Sequence, residues 1–148
     1  MSSKIYGYLE DIQTVLKALE DDDSNKVFGL GGSNVIVGSK FRLNAKQLPL
    51  GIIHITGGDI KNIALLDSIN VHIVGICYEE IGNVTEKTLE VMEYVMKSGV
   101  KDIGGLVGPV HFTVDSDILS IFDLEFIPIL APYGGFRLDY RLSRNYYV

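Results

Sequence analysis

Tryptophan is absent from this 148-residue chain, and cysteine occurs once, as Cys77. One thiol can neither close an intramolecular disulfide nor build a thiolate metal cluster. The fold must therefore be held by packing, and a reducing, cytoplasmic compartment is expected. Basic residues are scarce: 13 Lys and Arg face 19 Asp and Glu, a net charge of −6. Nucleic-acid binding draws on phosphate neutralisation by Lys and Arg, and anionic membrane surfaces attract the same groups. Neither partner is expected. No apolar run approaches the roughly 18 residues of a membrane span, and Met1-Ser2-Ser3-Lys4 leads into a patterned helix. Neither a span nor a signal peptide is expected. The three histidines are dispersed, and no His, Asp or Glu group has metal-ligand spacing, so no metal site is expected.

What is present is a rich core. Hydrophobic residues make up 47% of the chain, eight Tyr and six Phe supply aromatic packing, and mean hydropathy is +0.22. A domain of this length buries roughly 70% of its unfolded surface. Residues 1–148 read as a single α/β domain with no interior linker and no internal repeat.

Ile12, Val15, Leu16 and Leu19 recur at helical spacing and predict an amphipathic helix over 5–20. Asp21-Asp22-Asp23 then reads as a solvated turn, because carboxylates oppose the dipole at a helix C-terminus. Short apolar runs at 27–30, 35–38, 52–56 and 71–77 read as strands, the last two rich in β-branched residues. Ile60, Ile63, Ala64 and Leu66 predict a helix over 60–69. Asn83 and Glu86 can cap a helix over 84–97, with Leu89, Met92, Val95 and Met96 as its buried face. A glycine-rich strand over 103–110, a short helix over 115–124 and a strand over 126–130 complete the order. Residues 132–148, rich in Tyr and Arg, form a tail that packs on the domain or on a second subunit. Strands apolar at nearly every residue suggest burial on both faces, as in parallel sheets. The expected architecture is therefore a three-layer α/β sandwich with a mainly parallel, Rossmann-like sheet.

In such a sheet, ligands bind beyond the carboxyl ends of the strands. That rule selects the glycine-bearing loops at Gly29–Ser33, Thr56–Asp59, Gly75–Gly82 and Gly104–Asp115. Glycines admit close backbone approach, and a following helix N-terminus favours anions. Gly31, Gly32 and Ser33, with Thr56, Gly57, Gly58 and Asp59, are the expected cradle for a small anionic metabolite or nucleotide. The competing reading makes Gly57-Gly58 a tight turn and Asp59 an N-cap. Neither a dinucleotide fingerprint nor a P-loop Lys-Ser pair is present, so no cofactor is named. His54 and His72, inside apolar strands, read as satisfied core histidines.

Gly75-Ile76-Cys77-Tyr78 at a strand end resembles the nucleophile elbow of class I glutamine amidotransferases. That resemblance implies an alternative function, a cysteine-nucleophile enzyme using Cys77 with His111 as base. Glu79 stands where the elbow wants a small residue, and Glu79 and Glu80 oppose thiolate formation. The family's downstream His-x-Glu is absent.

Val35-Ile36-Val37-Gly38-Ser39, the strand ending in Gly57-Gly58-Asp59, and Asn70-Val71-His72-Ile73-Val74 together resemble the DRTGGG domain over about residues 35–121. Ile60 occupies the position of that family's arginine. The resemblance implies a non-catalytic, regulatory or accessory module, a homodimer, of the kind found beside nucleotide-sensing and acyl-phosphate enzymes.

Overall fold

A computed structural model of the chain describes residues 3–29, 34–38, 49–62, 65–79, 82–114 and 133–143. In chain order these form helix α1 (Lys4–Ala18), strands β1 (Val35–Val37), β2 (Leu50–Asn62) and β3 (Leu65–Tyr78), and helix α2 (Val84–Lys97). A 3-10 turn (Gly99–Asp102), β4 (Leu106–Val114) and β5 (Tyr133–Leu142) follow. The sheet runs β1-β2-β3-β5-β4. Only the β1–β2 pair is parallel; β2–β3, β3–β5 and β4–β5 are antiparallel.

The expected parallel three-layer sandwich is therefore replaced by a mixed, largely antiparallel sheet. The physical reason lies in residues 60–69. Their apolar spacing fits a helix, but residues 60–62 end strand β2 and residues 65–69 begin strand β3, paired as the far part of a long hairpin. Gly58 pairs with Ile69 and Asp59 with Ser68. The fit there is close: a Cβ on Gly58 would come within 2.1 Å of the Ser68 carbonyl oxygen. A ten-residue apolar pattern is short enough to satisfy either period, and tertiary pairing decides. The strands are buried on both faces, as their composition suggests, but the β2–β3 and β3–β5 pairs are not parallel. Ile52, Ile53, Val71, Ile73, Val74 and Ile76 are all buried, on both faces of the sheet. Burial on two faces describes layers and carries no information on strand direction.

One face of the sheet carries the main core. Ile53, Val71, Ile73 and Cys77 point to it from the hairpin, and Phe136, Leu138, Tyr140 and Leu142 from β5. Leu9, Ile12 and Leu16 of α1 and Val91, Met92 and Val95 of α2 close over them. Both helices start at side-chain caps. Ser3 accepts from the Tyr6 N–H, and Asn83 accepts from the N–H groups of Thr85 and Glu86, satisfying donors that helix geometry leaves open. The buried stripe of α2 is rotated from the expected one. Thr88 and Val91 are buried with Met92 and Val95, whereas Leu89 and Met96 are exposed.

The segment from Tyr133 to Leu142, expected to lie in a tail, is an interior strand between β3 and β4. The predicted strand over 103–110 starts later and runs on to Val114. The predicted strand over 27–30 is not formed by its described part: Val27 to Gly29 follow an isolated bridge between Glu20 and Lys26. The predicted helix over 115–124 and strand over 126–130 lie outside the described residues. No helix among the described residues is long and apolar enough to cross a membrane.

Candidate functional site

On the sheet face away from the helical core, one rung crosses four strands. His54 of β2 lies opposite His72 of β3, His72 opposite Asp139 of β5, and Asp139 opposite His111 of β4. All three histidines of the chain thus stand in a single row with one carboxylate. Adjacent strands lie about 4.8 Å apart, so the row spans roughly 15 Å.

Two irregularities produce the arrangement. In β4 the register advances four residues, Val107 to His111, while β5 advances two, Arg141 to Asp139. Gly108, at φ +135°, lies in this outward step, where only glycine is readily accommodated. Without the two extra residues Pro109 would face Asp139, and a ring with no N–H would replace an imidazole. In β2 the register skips Thr56, because Ile55 pairs with Val71 and Gly57 with Asn70. A bulge of this kind re-aims a side chain. Here it brings the Thr56 hydroxyl within 2.7 Å of His72 Nε2.

The rung is tied together through Asp139. Its Oδ1 lies 2.5 Å from His72 Nδ1 and its Oδ2 3.1 Å from His111 Nδ1. Arg137, two residues along β5, donates from a terminal guanidinium nitrogen to Oδ2 at 3.4 Å. Arg137 Nε is 2.9 Å from Oδ1, an ion-pair distance, but its N–H is not aimed at that oxygen. Burial alone would push the Asp139 carboxyl up. The His72 hydrogen bond, the Arg137 charge and the His111 hydrogen bond together outweigh it and hold the group below the usual carboxylate range. Asp139 is therefore ionised at neutral pH and can only accept.

That fixes one proton of His72, because a group that only accepts needs a donor at Nδ1. Nδ1 carries that proton toward Asp139, and in the tautomer with no second proton Nε2 accepts from the Thr56 hydroxyl. His54 stacks obliquely on His72, with ring centroids 5.0 Å apart. Burial, then the neighbouring His72 and Arg137 charges, depress the His54 imidazole to about 4, so it is neutral at pH 7. Exposure grades along the rung: the His72 side chain is 11% exposed, Asp139 17% and His111 65%. The row is closed at its centre and open at β4. It is a line of groups and not a cage, and no cluster of three metal-ligating side chains occurs among the described residues.

The residues singled out in the sequence are distributed differently from the expectation. Gly57, Gly58 and Asp59 sit inside the hairpin ladder, and no helix begins after them. The helix-dipole half of the anion cradle is thus missing. Asp59 accepts a hydrogen bond from Ser68 at 3.3 Å. Thr56 alone of that group joins the rung. Gly31, Gly32 and Ser33 lie outside the described residues. Cys77 pairs with Gly134, five residues from Asp139 on β5, so its side chain faces the helical core while His111 faces the other way. The separation along the strand is roughly 16 Å. Burial pushes the Cys77 thiol up to about 12, only partly offset by its Thr88 hydrogen bond. The structure does not bring Cys77 and His111 together.

Sequence reasoning passed over His54, His72, Arg137 and Asp139. The available signal was symmetry: once 52–62 and 65–78 are read as one hairpin, His54 and His72 fall opposite each other. No protein-family model matches the chain, and no match is found among curated proteins.

Proposed function

We propose that the chain is a ligand-binding domain that takes a small anionic metabolite against the histidine rung. The observation that carries this reading is the convergence of all three histidines, Arg137 and Thr56 about one carboxylate on one face of the sheet. Asp139 is already engaged by His72, His111 and Arg137, so its charge is compensated before any ligand arrives. The group that remains to recognise an anion is the guanidinium of Arg137, which carries more N–H donors than its contacts with Asp139 use. A guanidinium on a rigid sheet suits a carboxylate or phosphate. The resemblance to DRTGGG domains is in keeping with a regulatory or accessory module. In this chain a hairpin replaces the helix that follows the Gly-Asp element there.

A thermal-shift series with inorganic phosphate, citrate and ADP tests the reading. A compound present at 100 times its Kd adds about 2.7 kcal/mol, or about 8 °C in a domain of this size. The expected result is a shift with at least one of these anions that Arg137→Gln removes. Unchanged melting with all three, or a shift that survives Arg137→Gln, overturns it.

A further inference from the structure

The line of hydrogen bonds from Thr56 through His72 to Asp139 does more than fix side chains. Its atoms stand in the order that nucleophilic acyl transfer requires: hydroxyl on Nε2, Nδ1 on a carboxylate, the carboxylate anchored by an arginine. We infer that Thr56 is a nucleophile toward small carboxylic esters, with His72 as its general base and Asp139 and Arg137 as the groups that position that base. The inference rests on the rung being a ligand site and names the substrate class that the site would process.

Three structural features support it. Thr56 is exposed, whereas His72 and Asp139 behind it are largely buried, so the hydroxyl is the member of the line that a substrate meets first. Thr56 is also the residue that the β2 register skips, and its side chain is turned to His72 by that bulge and not by ladder pairing. The next residue is Gly57, at φ +152°, with no atom within 4 Å of where its Cβ would lie. No side chain from that position walls off the hydroxyl.

The chemistry balances with water as the only co-reactant. As Thr56 Oγ1 bonds to the ester carbonyl carbon, its proton passes to His72 Nε2 and the carbonyl π pair moves onto oxygen. The intermediate collapses, the bond to the alcohol oxygen breaks, and the departing alkoxide takes the proton from Nε2. Water then attacks the acyl-Thr56 ester, again giving its proton to Nε2. Thr56 Oγ1 leaves with that proton, and the products are one acid and one alcohol. Asp139 stays ionised throughout and stabilises the imidazolium that forms each time.

The test uses the full chain with diisopropyl fluorophosphate and 4-nitrophenyl acetate. Peptide mass mapping should place one diisopropylphosphoryl group on Thr56. The labelling rate should fall about a hundredfold in His72→Gln, the scale of a lost general base. Thr56→Ser should keep both labelling and esterase activity, and Thr56→Val should abolish both. Circular dichroism confirms that each variant is folded, and the labelling site is read on the unmodified protein, whose folding is not in question. An adduct elsewhere, no adduct, or a Thr56 adduct insensitive to His72→Gln overturns the inference. If the anion-induced thermal shift persists in that case, the binding reading stands and only the nucleophile falls.

Discussion

Replacing His54 with glutamine should flatten the acid sensitivity of this fold between pH 7 and pH 5. In the native state burial and two neighbouring charges hold the imidazole at about 4, against an ordinary value of 6.5. The unfolded chain therefore takes up the proton first. The stability associated with neutral His54 is whole above about pH 6.5 and is lost as the pH falls toward 4. At about 1.4 kcal/mol per unit, the full loss is about 3 kcal/mol, of which about 2 kcal/mol falls between pH 7 and pH 5. Asp139 does not confuse this window. Its carboxyl is depressed below 3.8, so its contribution is complete above that value and is lost only at lower pH. The assay is urea denaturation of wild type and His54→Gln at both pH values, comparing the change within each protein. Wild type should lose about 2 kcal/mol more than the variant, equivalent to about 6 °C in melting temperature. Equal losses in the two proteins would show that His54 is not buried beside His72 and Arg137, and the rung would lose its inner member.

Gly75→Ala should cost about 3 kcal/mol, because the new Cβ would lie 2.1 Å from Cε1 of Phe136, a fully buried ring with no room to swing. Gly7→Ala is the matching control: nothing lies within 4 Å, and helix propensity should raise stability by about 0.5–1 kcal/mol. A fall in melting temperature of similar size for both would contradict the packing described around β5. Cys77, buried and with its thiol near 12, should react with a disulfide reagent at pH 8 only when denaturant is added. Rapid labelling of the native protein would place that thiol outside the core.

The two helices were legible because their signals are local. Asn83 and Glu86 mark the start of α2, and the Ile12, Val15, Leu16 pattern marks α1. The strand around Ile73 was legible from its β-branched run. Strand direction was not, because a strand buried on both sides carries the same composition whether its neighbour is parallel or antiparallel. The stretch from Ile60 to Ile69 misled for a related reason. Its periodicity is real, but the cross-strand pairing of Gly58 with Ile69 and Asp59 with Ser68 outweighs it. The site was least legible of all. Its parts are 85 residues apart in sequence, from His54 to Asp139, and meet only through the β2–β3–β5–β4 order. His54 and His72 looked like core residues because they are buried, and burial is what prepares His72 to work with Asp139. Thr56 was selected for the glycines after it, and its relation to His72 arises from a register skip that no local pattern announces.

The central claim concerns one ring and the proton it carries. Nitrogen-15 NMR of the imidazoles should show a proton on His72 Nδ1 and, in the neutral ring, an Nε2 that accepts a hydrogen bond lost in Thr56→Val. A His72 protonated on Nε2 alone, or an Nε2 resonance indifferent to Thr56→Val, would mean that Thr56, His72 and Asp139 do not form a connected line.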